Sequence, residues 1–136
     1  MLSGRRKLIS IQMNILLDSQ ALIRWLDDRV PRRLARLLGK PQTNIAVSII
    51  TPWEIAMKPQ LGFDTVQIAE AIERIGARLL PIRLAHVEKL GSLPSPREHR
   101  DPFDRMMIAQ ALSEGYAIAS ADERFSLYPR LEVIWD

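Results

Sequence analysis

Five short apolar runs, MNILL (13–17), NIAVSII (44–50), RLLPI (78–82), YAIAS (116–120) and LEVIW (131–135), are separated by longer stretches in which apolar residues recur at helical spacing. That alternation is the strongest constraint on the fold. Runs this short, apolar throughout rather than at every second residue, read as strands buried on both faces. Strands that alternate with helices pair in parallel, because each helix carries the chain back to start the next strand in the same direction. The sequence therefore predicts an α/β fold with a mainly parallel central sheet covered on both faces. Pro81 cannot donate to a ladder, which gives the third run an edge or terminal place.

Between the strands, SQALIRWLDD (19–28) carries Leu22, Trp25 and Leu26 on one face, Pro31 opens RRLARLLGK, and TVQIAEAIERIGA (65–77) aligns Ile68, Ala71, Ile72 and Ile75. LAHVEKLGSL reads as a helix, PSPREHR as a loop, and PFDRMMIAQALSEG as a helix capped by Gly115. TPWE (51–54) and DPFD (101–104) share one pattern: an oxygen-bearing residue, proline, an aromatic, then a carboxylate. Both predict helix starts, with Thr51 and Asp101 as caps, Pro52 and Pro102 at the first helical position, and Glu54 and Asp104 placed to complete capping boxes.

At 136 residues and 47% hydrophobic, the chain suits one domain. Its formal net charge of +3 is carried entirely by Arg5, Arg6 and Lys7 in the segment MLSGRRKLISIQ. Residues 1–12 thus read as a leader, disordered or upstream of a true start at Met13, with residues 13–136 as a single domain. The basic balance is accordingly weak evidence for a nucleic-acid partner. The leader's apolar run is short and interrupted and lacks a small-residue cleavage site, so it is read as neither signal peptide nor anchor. No apolar run approaches the roughly 20 residues that span a bilayer. The absence of cysteine excludes disulfides, thiolate zinc sites and cysteine nucleophiles, and is compatible with a reducing cytoplasm.

Four acids fall at element junctions. Asp18 follows the first strand directly, Glu54 the second by a few residues, Asp122 follows YAIAS, and Asp104 begins the helix that feeds that strand. In an open parallel sheet the carboxyl ends of the strands share one edge, where ligands bind. Each acid taken alone is also an ordinary cap or turn residue. Four carboxylates at one edge repel unless cations or protons neutralise them, and an oxygen-rich site without cysteine suits magnesium or manganese. Two such ions, about 3.5 to 4 Å apart, support phosphodiester hydrolysis. There is no Gly-rich phosphate loop, G-x-S-x-G or H-E-x-x-H, and His86 and His99 read as ordinary surface or hydrogen-bonded residues.

LLDSQALIRWL, SIITPWEIAMKPQLG, HRDPFDRMMIAQAL and ASADERF resemble, in order, the acidic motifs of PIN-domain ribonucleases, above all the VapC-type toxins of toxin–antitoxin pairs. The likeness runs from Met13 to the C-terminus. It implies a small PIN-like α/β/α sandwich whose Asp18, Glu54, Asp104 and Asp122 bind Mg2+ or Mn2+ and cleave single-stranded regions of RNA. Ser19 and Ser120 match hydroxyl positions beside the acids, and Asp101 is read as the N-cap with an outer role at the metal site. A cognate antitoxin and a homodimer are implied as partners, with Trp25, Leu34 and Leu37 as interface or core residues. Gln20 stands where a histidine is frequent, and Pro59 predicts that its helix stops near Met57 or Lys58.

Arg97, Arg100 and Arg105, flanking DPFD, are the favoured RNA-phosphate candidates, ahead of Arg32, Arg33, Arg36 and Lys40 on the second helix. The residues also admit two other readings. One is a PIN-like RNA- or protein-binding module without catalysis. The other is a receiver-type signalling domain, which requires an acidic pair after the first strand and a lysine after the last.

Overall fold

Asn14–Leu17 forms β1, the middle strand of a five-stranded sheet of order β3-β2-β1-β4-β5. The others are Asn44–Ser48 (β2), Arg78–Leu80 (β3), Ala117–Ala119 (β4) and Val133–Ile134 (β5), and every neighbouring pair is parallel. The structure, a computed structural model, describes residues 12–136. The segment read as a leader lies outside the described residues but for Gln12. The helices are Ser19–Leu26 (α1), Arg32–Leu38 (α2), Ile50–Met57 (α3), Thr65–Arg74 (α4), Leu84–Gly91 (α5) and Pro102–Glu114 (α6). Short 3-10 turns span Pro59–Leu61 and Glu123–Leu127.

Alternation along β1 divides the core into two layers. Ile15 and Leu17 pack with Leu22 of α1, Leu34 of α2, Ile55 of α3 and Ile68 of α4. Leu16 turns to the other face with Ile118, beneath Met107, Ile108 and Ala111 of α6. The expected α/β/α sandwich is thus present, and β3, followed by Pro81, is an edge strand as its proline requires. Among the described residues no helix is long and apolar enough to cross a membrane. Leu34 is completely buried in the core, which removes it from any interface; Trp25 and Leu37 are only partly covered.

Helix starts show where local chemistry departs from the sequence pattern. DPFD behaves as expected: Asp101 Oδ1 accepts from the amides of Phe103 (2.8 Å) and Asp104 (3.1 Å), and Pro102 opens α6. Gly115 ends that helix at φ 79°, a conformation that favours glycine. TPWE does not open its helix. β2 stops at Ser48, whose hydroxyl accepts from the Ile50 amide at 3.0 Å, and Ile49 already has helical angles, so α3 starts at Ile50 and Thr51 lies inside its first turn. Pro52 is still tolerated, because amides in that turn have no partner within the helix. α3 ends at Met57 just before Pro59, as expected. The box that does form belongs to Asp64 and Gln67 at the start of α4, bonded reciprocally at 2.8 and 3.0 Å. Asp64→Ala is expected to cost about 1 kcal/mol in urea denaturation, the usual loss for a removed cap.

Candidate active site

β1 and β4 are neighbours although β2 and β3 intervene in the chain, so the sheet reverses its order between them. In parallel sheets a crevice opens at that reversal, beyond the carboxyl ends of the strands. Asp18 follows β1 and Asp122 follows β4 by three residues. α6 leads into β4 and therefore runs opposite to it, which brings its first turn and Asp104 to the same edge. α3, leaving β2, carries Glu54 there. All four acids line one cleft of about 360 Å³, together with Ser19, Asp101 and three cations, Arg24, Lys58 and Arg124. The two motifs that share a pattern meet in space: Trp53 and Phe103 pack edge to face with ring centroids 4.9 Å apart.

Asp18 is buried, and its carboxylate caps α1 by accepting from the Ala21 amide at 2.7 Å. Burial pushes its pKa up to about 6, against the hydrogen bonds of Ser120 and Ala21, and the charges of Asp104 and Asp122 push the same way. Asp104 is also raised, mainly by burial, although His99 beside it favours the charged form. Asp104 does not fold back onto its own cap; one carboxylate oxygen sits 3.0 Å from His99 Nε2. Asp122 behaves oppositely. Arg124 grips both its oxygens, at 2.7 to 3.2 Å, and holds its pKa below the usual carboxylate value.

Glu54 is free of any capping duty. Ser19 Oγ donates to Glu54 Oε1 at 2.9 Å, so its contact with Thr51, also 2.9 Å, has Thr51 as donor. Lys58, one turn on, holds Glu54 Oε2 at 2.7 Å. The Ser120 hydroxyl accepts from the Asp122 amide at 3.1 Å. Both serines thus touch the acids they were expected to accompany.

Arg97 and Arg100 are exposed and, like Arg105, do not line the acidic cleft. Arg100 and Arg105 border a separate hollow with Ser95, Pro96 and His99. Arg105 NH1 is held by the Pro94 carbonyl at 2.7 Å and the Tyr128 hydroxyl at 3.0 Å. The sequence reading passed over Lys58 and Arg124, although Lys58 at i+4 from Glu54 and Arg124 two residues past Asp122 are local pairings a charge pattern can reveal. Both histidines are hydrogen-bonded, as expected, but neither is at the surface. His86 accepts from the Arg83 amide and joins α5 to Glu114 of α6 at 2.8 Å.

The donor set fits a hard divalent cation: four carboxylates in one cleft, two of them with raised pKa values, and no histidine or cysteine among its lining residues. One side-chain atom able to ligate a metal from each of His99, Asp104 and Asp122 lies within 4.8 Å of the other two, at the border of that cleft.

Comparison with known proteins bears on the fold and the family. No curated protein sequence matches the chain. Among solved structures, a chain of VapBC2 from Rickettsia felis, bound to a DNA fragment from its promoter, is 16% identical with a TM-score of 0.68, covering 91% of this chain and 100% of that one. A chain of VapBC-1 from nontypeable Haemophilus influenzae is 17% identical with a TM-score of 0.66, over 90% and 97% of the two chains. For FitAcB from Neisseria gonorrhoeae the identity is 19%, the TM-score 0.61 and the coverage 88% and 96%. These likenesses share the fold. The PIN domain model matches residues 15–131, a span that includes all four acids and, but for Asn14, the first four of the five strands. The chain therefore belongs to the PIN domain family.

Proposed function

We propose that the chain is a metal-dependent endoribonuclease, the toxin of a toxin–antitoxin pair, in which Asp18, Glu54, Asp104 and Asp122 hold Mg2+ or Mn2+. The observation that carries this reading is the convergence of four carboxylates, from four separate segments, in one cleft at the sheet's reversal point. Divalent ions bound there supply an activated water and stabilise the charge that develops on the leaving oxygen of a phosphodiester. Membership of the PIN family supports the reading over a receiver domain, as does the lone Asp18 after β1.

The chain's own residues set the conditions. Ser19, Ser120 and the Ala21 amide orient carboxylates before any ion arrives, which lowers the reorganisation that binding demands. Lys58 and Arg124 neutralise Glu54 and Asp122 in the metal-free protein. With a divalent cation held by the acids, Lys58 and Arg124 would no longer be needed for that duty and, beside Arg24, could contact RNA phosphates. Arg97 and Arg100 extend the phosphate-binding surface outside the cleft. The solved structures that this chain resembles include VapBC2, VapBC-1 and a toxin–antitoxin complex from Klebsiella pneumoniae, which supports an antitoxin as the partner of this chain. A homodimer, with Trp25 and Leu37 as contact candidates, completes the proposal.

The test uses protein freed of antitoxin, stripped with EDTA and incubated with a mixed RNA pool. Mg2+ or Mn2+ is expected to produce new RNA ends, and Ca2+, which is larger and less demanding in geometry, to bind with little cleavage. Folded protein that binds the ions yet yields no new ends with either metal would replace the nuclease reading with that of a silent binding module.

A further inference from the structure

We propose that His99 is a positioning residue, not a metal ligand: a one-way chain of hydrogen bonds from Arg105 through Tyr128 fixes its tautomer and makes its Nε2–H the clamp on Asp104. The function of the clamp rests on the nuclease reading; its geometry does not.

His99 and Tyr128 are both buried. Nδ1 of His99 lies 2.9 Å from the Tyr128 hydroxyl, and Nε2 lies 3.0 Å from Asp104 Oδ2. The imidazole packs against the rings of Phe125 and Tyr128, with centroids 5.2 and 5.5 Å away, and is fully shielded from solvent. Direction enters through Arg105. A guanidinium has only donors, so at 3.0 Å from the Tyr128 hydroxyl Arg105 must donate and the phenol oxygen must accept. The phenol's single proton is then directed to Nδ1 at 2.9 Å, its other acceptor, the His99 carbonyl, being at 3.5 Å. In the neutral ring an accepting Nδ1 leaves the proton on Nε2, where Asp104 receives it. Arg105 is itself fixed by the Pro94 carbonyl.

Asp104 and Arg105 are adjacent residues, so the chain closes on itself: it leaves α6 at Arg105 and returns to it at Asp104. With Oδ2 engaged by His99, the carboxylate cannot rotate freely, and Oδ1 is left for the cleft that Asp104 lines. The rival arrangement has His99 as a ligand beside Asp104 and Asp122, whose donor atoms lie within 4.8 Å of one another. Ligation by Nε2 would require its proton to move to Nδ1, which would reverse the bond with Tyr128 and leave the buried phenol proton only the His99 carbonyl, at 3.5 Å, a cost the present arrangement avoids.

Two measurements test the proposal. In metal-free protein, 15N NMR of the histidines is expected to show His99 with a bare Nδ1 and a protonated Nε2, and Tyr128→Phe is expected to weaken that preference. In the second, Mn2+ affinity is read by calorimetry. His99→Phe, which keeps a ring but lacks the donor, is expected to bind Mn2+ about 10- to 100-fold more weakly, while His99→Gln, whose amide can donate to Asp104, retains most of the affinity. Pulsed EPR on Mn2+-loaded wild type is expected to show no coupling to a histidine nitrogen. A protonated Nδ1, a nitrogen coupling to Mn2+, or unchanged affinity in His99→Phe would each overturn the proposal. If His99→Phe does not fold, the wild-type NMR and EPR results and the His99→Gln affinity decide it. If wild type binds Mn2+ but cuts no RNA, the nuclease reading fails while these results still judge the clamp.

Discussion

Asp18→Asn and Asp104→Asn, made singly, are expected to lower metal-dependent RNA cleavage by about 10³-fold or more, the scale on which loss of one member of a concerted catalytic set is felt. Both substitutions keep shape and remove only charge. Asn caps a helix as well as Asp does, so α1 retains its Ala21 contact in the first variant. In the second, the amide oxygen can still accept from His99. A loss of activity in proteins that remain folded therefore reports on the charge of the carboxylates. The check is single-turnover cleavage of a labelled RNA in Mg2+ and in Mn2+. Activity within a few-fold of wild type in both variants would remove these residues from the reaction.

The same Asp18→Asn variant is expected to be more stable than wild type when no metal is present. The Asp18 carboxyl has its pKa raised from 3.8 to about 6 in the folded chain. The folded state thus holds this proton more tightly than the unfolded state, and the group's contribution to stability falls as pH rises from about 4 to about 6. The total is about 3 kcal/mol, at roughly 1.4 kcal/mol per pKa unit. Asp104 is shifted in the same direction and adds to the effect. Asp122, lowered by Arg124, works the other way and stabilises the protein above the ordinary carboxylate range. Urea denaturation in EDTA should then show Asp18→Asn ahead of wild type by up to about 3 kcal/mol at pH 7.5, with the gap closing near pH 4. Equal stability at pH 7.5 would mean that the Asp18 charge is not strained in the metal-free cleft.

Several of these features were legible in the sequence because the physics behind them is local. Strands buried on both faces must be apolar throughout, so β1 and β2 stand out as runs. Pro59 stops α3 by its own ring, and Asp101 caps α6 with its own oxygen. The four acids were legible for a different reason: a parallel sheet sends every strand end to one edge, so residues after β1, β2 and β4 converge without any signal that they touch. What the sequence hid depends on contacts between distant segments. Ile50 suits a strand and a helix equally, and a hydrogen bond from its amide to Ser48 decides between them. His99 sits in a polar loop, PREHR, yet Tyr128 and Phe125, more than twenty residues on, bury it. The arginines around DPFD were read as neighbours of the site because they are neighbours in the chain. In space the cleft takes its cations from α1, from the residue that follows α3 and from the turn after β4.

The most direct measurement of the central claim is anomalous diffraction from crystals of the wild-type protein soaked in Mn2+. Manganese is expected in the cleft, bonded to carboxylate oxygens of Asp18 and Asp104, with Lys58 or Arg124 moved off Glu54 or Asp122. An empty cleft at saturating Mn2+, or an ion held without either Asp18 or Asp104, would contradict it.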